Sequence, residues 1–229
     1  MSDFLNVTEL PENIGDLEFL ENLHISDSGI KALPSSINQL ENLVFLRCSG
    51  CKGLTLPPLT EHKDEDRIEN FLRIENFLDF SNCFSLDKEK VMKDVLKTHL
   101  LKHKIVRLCI PGDEVPQRMR YKNQSGSSLS FTLDQPNLIG VSLCLVFDPK
   151  NHYGYHVRFI CEAQFIDKSG HNSKNSKFSF QYTWMTNLLE SEHVYLWNEL
   201  FDMEDSFVEA SFQFFIEHFS LKPQHNSRL

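Results

Sequence analysis

The feature that most constrains this chain is a 23-residue period near its start. Leu10, Pro11, Ile14, Leu17, Leu20, Leu23 and Ile25 return as Leu33, Pro34, Ile37, Leu40, Leu43, Leu46 and Cys48. A unit this short cannot enclose its own apolar side chains and must stack on a neighbour. Strand alternation sends Leu23, Ile25, Leu46 and Cys48 into the interior of the stack. It turns Asn22, His24 and Ser26, and one unit later Phe45, Arg47 and Ser49, to the opposite, open face. Those six side chains are candidate partner-binding residues. Ser28 and Cys51 occupy a position where a small polar side chain meets backbone groups of the turn. Cys48 and Cys51 therefore read as core and ladder; zinc would need a second Cys pair, and Cys83, the next cysteine, stands alone.

The pattern L-x-x-L-x-L-x-x-N/C, continued as I-x-x-L-P, resembles the plant type of leucine-rich repeat. About two such repeats fill residues 1–60. Two cannot stand alone, so the segment is expected to lean on the domain C-terminal to it. The pattern is already running at the start of the chain, and the expectation is the C-terminal end of a longer solenoid, that is, a truncated protein.

Pro57 and Pro58 stop the repeats, and a charged run occupies residues 61–67. Residues 67–72 (RIENFL) recur letter for letter at residues 73–78. Six residues match neither 3.6 nor 2.0 as a period. Residues 61–79 are therefore assigned to a linker containing a tandem duplication. Ser85 or Asp87 is placed to cap a helix reaching about His103. Val91, Met92, Val95, Leu96 and Leu100 form its apolar stripe. From residue 105 onward strands dominate. Alternation marks residues 128–133, 157–165 and 208–216, and a near-continuous apolar run marks 138–147. Residues 178–184 and 193–197 read as two more. Seven or eight short strands with turn-rich breaks imply an antiparallel sandwich. Within this part Pro111-Gly112 has type II turn chemistry, which calls for a positive φ at Gly112.

Four motifs occur in order between residues 80 and 147. They are Phe80-Ser81-Asn82-Cys83-Phe84-Ser85-Leu86-Asp87, then Ile110-Pro111-Gly112-Asp113-Glu114-Val115-Pro116, then Gly126-Ser127-Ser128-Leu129, then Leu138-Ile139-Gly140-Val141-Ser142-Leu143-Cys144-Leu145-Val146-Phe147. Together they resemble the C-terminal jelly-roll/Ig-like domain located after the repeats in plant TIR–NB–LRR immune receptors. The expected fold class is thus α+β: a short leucine-rich-repeat solenoid end, then an antiparallel β-sandwich of jelly-roll/Ig-like type with one N-terminal amphipathic helix. The expected divisions are 1–60 repeats, 61–79 linker, 80–222 sandwich and 223–229 tail.

The net charge of −9 argues against a phosphate-backbone partner. No apolar run is long enough to span a bilayer and no signal pattern opens the chain; reduced thiols in cytoplasm or nucleus are the expectation. No catalytic set is recognised. Asp113 and Glu114 are neighbours on a turn, Ser127 and Ser128 lack a nucleophile-elbow context, and His99 and His103 lack further metal ligands. No enzyme activity, metal, cofactor or small-molecule substrate is expected, and the NAD-cleaving TIR and nucleotide-binding domains of the resembled family are not in this sequence. Two loops complete the candidate surface: His152, Tyr153 and Tyr155 in one, Lys168 and Lys174 in a basic one. The resemblance implies a recognition module that binds a pathogen effector protein or other domains of the receptor, in defence or in autoinhibition. The alternatives are a lectin-like sugar-binding sandwich, with Tyr153 and Tyr155 as a stacking pair, and a receptor fragment without function.

Overall fold

The computed structural model describes residues 6–57, 75–102, 105–123, 126–134, 140–152, 156–170, 173–185, 188–200 and 207–219. Its described part is mostly β-strand, in two sheets, with one α-helix. The chain divides into two compact units. One comprises residues 1–119, 140–147 and 191–200, and the other residues 120–139, 148–190 and 201–229.

In the first unit the two repeat strands, β1 (Asn22–His24) and β2 (Phe45–Arg47), lie parallel, with Leu23 opposite Leu46. Each is preceded by a 3-10 turn, Ile14–Asp16 and Ser35–Gln39, which presents Ile14 and Ile37 to the interior. A third strand, β3 (Glu75–Asp79), continues the parallel ladder. It is built from the second copy of the duplicated hexapeptide, so the stretch read as linker ends in a strand. The first copy lies outside the described residues. Leu78, Phe80, Cys83 and Leu86 reproduce the spacing of Leu46, Cys48, Cys51 and Leu54, and Phe80 and Cys83 are each 1% exposed.

The ladder extends to β4 (Ile105–Pro111), parallel to β3. There the direction changes. Strand β9 (His193–Leu200) pairs antiparallel with β4, and β6 (Gly140–Phe147) pairs antiparallel with β9. One mixed sheet of order β1-β2-β3-β4-β9-β6 results. The division drawn at residue 80 from sequence therefore falls inside this sheet. A single rung, Leu23–Leu46–Leu78–Leu108–Leu196–Cys144, crosses all six strands. It lies in one core with Ile25, Ile30, Cys48, Leu54 and Phe80. Helix α1 (Lys88–Lys102) adds Val91, Met92 and Val95 to that core. Asp87 caps it, its carboxylate accepting from the Lys90 amide at 3.0 Å.

Cysteine closes the turns between repeats. Cys51 Sγ lies 3.2 Å from the Ser28 hydroxyl and donates to the Ile25 carbonyl, and Cys83 Sγ donates to the Cys48 carbonyl at 2.9 Å. Burial pushes the Cys83 thiol up, which keeps it in the protonated, donating form. The Pro-Gly turn departs from expectation: Gly112 has no positive φ. Its amide bonds the Glu192 carbonyl, and an added Cβ would stand 2.8 Å from Val194 Cγ2, so glycine serves close approach there.

In the second unit the sheet order is β5-β10-β7-β8, antiparallel throughout. The strands are β5 (Ser128–Thr132), β7 (His156–Asp167), β8 (Ser173–Met185) and β10 (Phe207–Phe219). One face carries Phe159, Phe165, Phe180 and Phe212, none more than 5% exposed. Strand β8 begins at Ser173, so the basic stretch read as one loop is in its second half a strand.

Gly50 tests the repeat turn. Its φ is +76°, and an added Cβ would sit 2.2 Å from Asp27 Oδ1. Gly50→Ala is expected to cost about 1–2 kcal/mol from the left-handed backbone alone, read as a lowered urea midpoint. Gly53→Ala, whose Cβ would meet only Lys31 Cγ at 3.7 Å, is expected to stay within about 0.5 kcal/mol of the parent.

Candidate functional site

The open face of β1–β2–β3 gathers the six repeat residues singled out from sequence. Register sets Asn22 beside Phe45 and Phe77, and His24 beside Arg47 and Asp79. The Phe45 and Phe77 rings stack at 4.7 Å with an interplanar angle of 7°, and His24 tilts against Phe45 at 5.0 Å. Asn22 and His24 are exposed, and Phe45, Phe77, Ser26 and Ser49 are half-buried. A parallel ladder puts equivalent residues of successive strands about 4.8 Å apart, which is why aromatic side chains at equivalent positions stack face to face. The result is a stripe of contacting rings, half-buried at Phe45 and Phe77 and exposed at His24.

Arg47 differs from its neighbours. It is 8% exposed, and its Nε lies 3.2 Å from Asp79 Oδ2. Asp79 is 0% exposed. The Ser81 hydroxyl donates to Asp79 Oδ1 at 2.7 Å, the Ser81 amide donates to the same oxygen at 3.0 Å, and the Ser49 hydroxyl is 2.8 Å from that of Ser81. Burial raises the Asp79 carboxyl above its ordinary range, and the Ser81 bonds and the Arg47 charge oppose that shift. Arg47 therefore organises the face and does not project from it. Further along the same face, on β4 and β9, Cys109, Tyr195 and Trp197 are 0% exposed. On β4 Arg107, beside Phe77, is half-buried, and its guanidinium lies 3.8 Å from Glu199.

Sequence reasoning missed Phe77 and Asp79. The signal was present in the spacing of Leu78, Phe80, Cys83 and Leu86, which copies that of the second repeat. A step longer than 23 residues, carrying the charged run and the duplication, concealed it.

The remaining candidates belong to the second unit, and the described ones lie in three separate places. His152 ends the 3-10 turn Pro149–His152, and its Nδ1 lies 2.5 Å from His218 Nε2 on β10. Partial burial and the His218 charge lower the His152 pKa, and Asp148 opposes them. Lys168 is exposed on the turn after β7, and Lys174 is half-buried on β8 opposite Phe165. Tyr153 and Tyr155 lie outside the described residues. Among the described residues no three His, Cys, Asp or Glu side chains are placed to hold a metal ion, and no helix is long and apolar enough to cross a membrane.

Residues 3–63 match the family described as a leucine-rich repeat region. The chain is similar to the disease resistance-like protein DSC1 of Arabidopsis thaliana, with 26% identity over 91% of this chain and 22% of that protein. It is also similar to the disease resistance protein RPP2B of Arabidopsis thaliana, with 29% identity over 56% of this chain and 12% of that protein. The chain thus spans less than a quarter of the length of either relative.

Arg47→Met would leave the Asp79 carboxylate buried beside no cation. We expect it to cost about 3–5 kcal/mol at neutral pH, and the double change Arg47→Met with Asp79→Leu to recover most of that. A folded pKa held above the unfolded one stabilises fully below the unfolded value, and that contribution is lost as pH rises through the folded value. The single variant should therefore gain stability relative to the parent as pH falls from 7 toward 4, measured by urea denaturation. The histidine pair has the opposite sign. With its folded pKa lowered, His152 loses stability as pH falls below about 6.5. Histidine NMR titration should show a His152 midpoint below 6.5, moving upward in His218→Gln.

Proposed function

We propose that this chain, which carries a leucine-rich repeat region and is homologous to plant disease resistance proteins, is a non-enzymatic protein-recognition module of an intracellular plant immune receptor. In this reading it is the C-terminal part of such a receptor, working in the cytoplasm or nucleus. It binds a pathogen effector protein or holds other receptor domains in an inactive arrangement. The strand-rich remainder is read as the jelly-roll/Ig-like domain located after the repeats.

The observation that carries this reading is the aromatic stripe His24–Phe45–Phe77 on the open face of the repeat strands. Aromatic side chains give a partner large contact area at small conformational cost. The Arg47–Asp79–Ser81 network beside them fixes the face before a partner arrives, and preorganisation of this kind converts contact into affinity.

The test is a binding panel of pathogen effector proteins and of the other domains of disease resistance proteins, run against the purified chain. Phe45→Ala with Phe77→Ala should weaken any specific complex at least tenfold while the thermal midpoint shows the fold retained. A complex indifferent to both substitutions, and to Asn22→Ala with His24→Ala, would remove the stripe from the binding surface.

A further inference from the structure

The outward face of the second unit's sheet carries a different kind of surface. One row across its four strands reads Ser130, Ser211, Gln164 and Asn175. In the adjacent row Ser128 and Gln213 sit beside Glu162 and Lys177, whose charges meet at 3.1 Å. These two rows line a trough of about 650 Å³. At the next register Phe215, 44% exposed, stands beside the trough.

We propose that this trough is a binding site for a neutral oligosaccharide. Six of its eight side chains are uncharged hydroxyls and amides, each able to donate and accept. The single charged pair is self-neutralised, on a chain whose net charge is −9. A surface of that kind has no preference for anions or cations and a dense supply of partners for hydroxyl groups. Positions along one strand repeat at roughly 7 Å and strands at about 4.8 Å, a lattice on the scale of the hydroxyl spacings of linked pyranoses. Phe215 gives an exposed apolar platform on which the C–H face of a sugar ring can rest. Gln213 is already oriented, its amide donating to the Ser127 hydroxyl at 2.7 Å. The occupant comes from a host wall glucan or from a microbial glycan, and the chemistry recognised is the same.

Titration calorimetry of the full chain with cellohexaose, laminarihexaose and chitohexaose tests the assignment and separates the sources, with the anionic hexamer of galacturonic acid as control. Saturable binding of at least one neutral hexamer is expected, with affinity lowered at least tenfold in Gln164→Ala with Gln213→Ala. Phe215→Ala should lower it likewise, and Phe215→Trp should retain or strengthen it, which separates loss of the platform from loss of the fold. No heat from any neutral hexamer at millimolar concentration, equal binding of the anionic hexamer, or affinity unchanged in these variants would overturn the proposal. None of those results bears on recognition by the repeat face.

Discussion

One rung of apolar side chains, Leu23–Leu46–Leu78–Leu108–Leu196–Cys144, spans the larger sheet from end to end. Each large member contributes about 1.5–3 kcal/mol by leaving water, but only while the strand beside it covers its flank. A repeat coil obeys this condition by stacking, and a stack has to finish somewhere. Here it finishes by a change of strand direction: β4 runs parallel to the coils on one edge and antiparallel to β9 on the other. The parallel edge of the repeats is thus paired, and α1 lays Val91, Met92 and Val95 over the same interior.

The fold was legible where a period repeated. The 23-residue step located β1 and β2, the division of their side chains between interior and open face, and the ladder role of Ser28 and Cys51. Alternation located β5, β7 and β10, and the apolar run located β6. The third repeat strand escaped. Its leucine, aromatic and cysteine spacing matches its predecessor, but the letters before it are an exact copy of the six preceding residues, and copying looks like linker. Pairing between β4 and β9, with about eighty residues between them in sequence, left no local mark at all. Nor could local pattern show that the basic stretch after residue 168 becomes strand, since Lys and Asn are poor strand formers that an edge position tolerates.

The candidate surface was partly legible for the same reason. Period two named Asn22, His24, Phe45, Arg47 and Ser49 as sharing one face. It could not say that Arg47 would be tied to a buried carboxylate, because Asp79 comes from a strand that had not been recognised. Arg47 is therefore held within the face, and Phe77 makes the face more aromatic than its first two strands suggest. A buried ion pair is weak evidence for stability in itself; its effect here is to hold neighbouring side chains in place.

The tandem hexapeptide gives that pair a second consequence. Residues 69–72 and 75–78 are identical, so their side chains alone offer β2 two indistinguishable strands six positions apart. The next letter of each copy differs. Correct threading sets Asp79 against Arg47. Slipping back by one copy would bring Arg73 to that place, two guanidinium groups facing one another away from water. Electrostatics thus acts as a proofreader, rejecting an alignment that hydrophobic packing would accept.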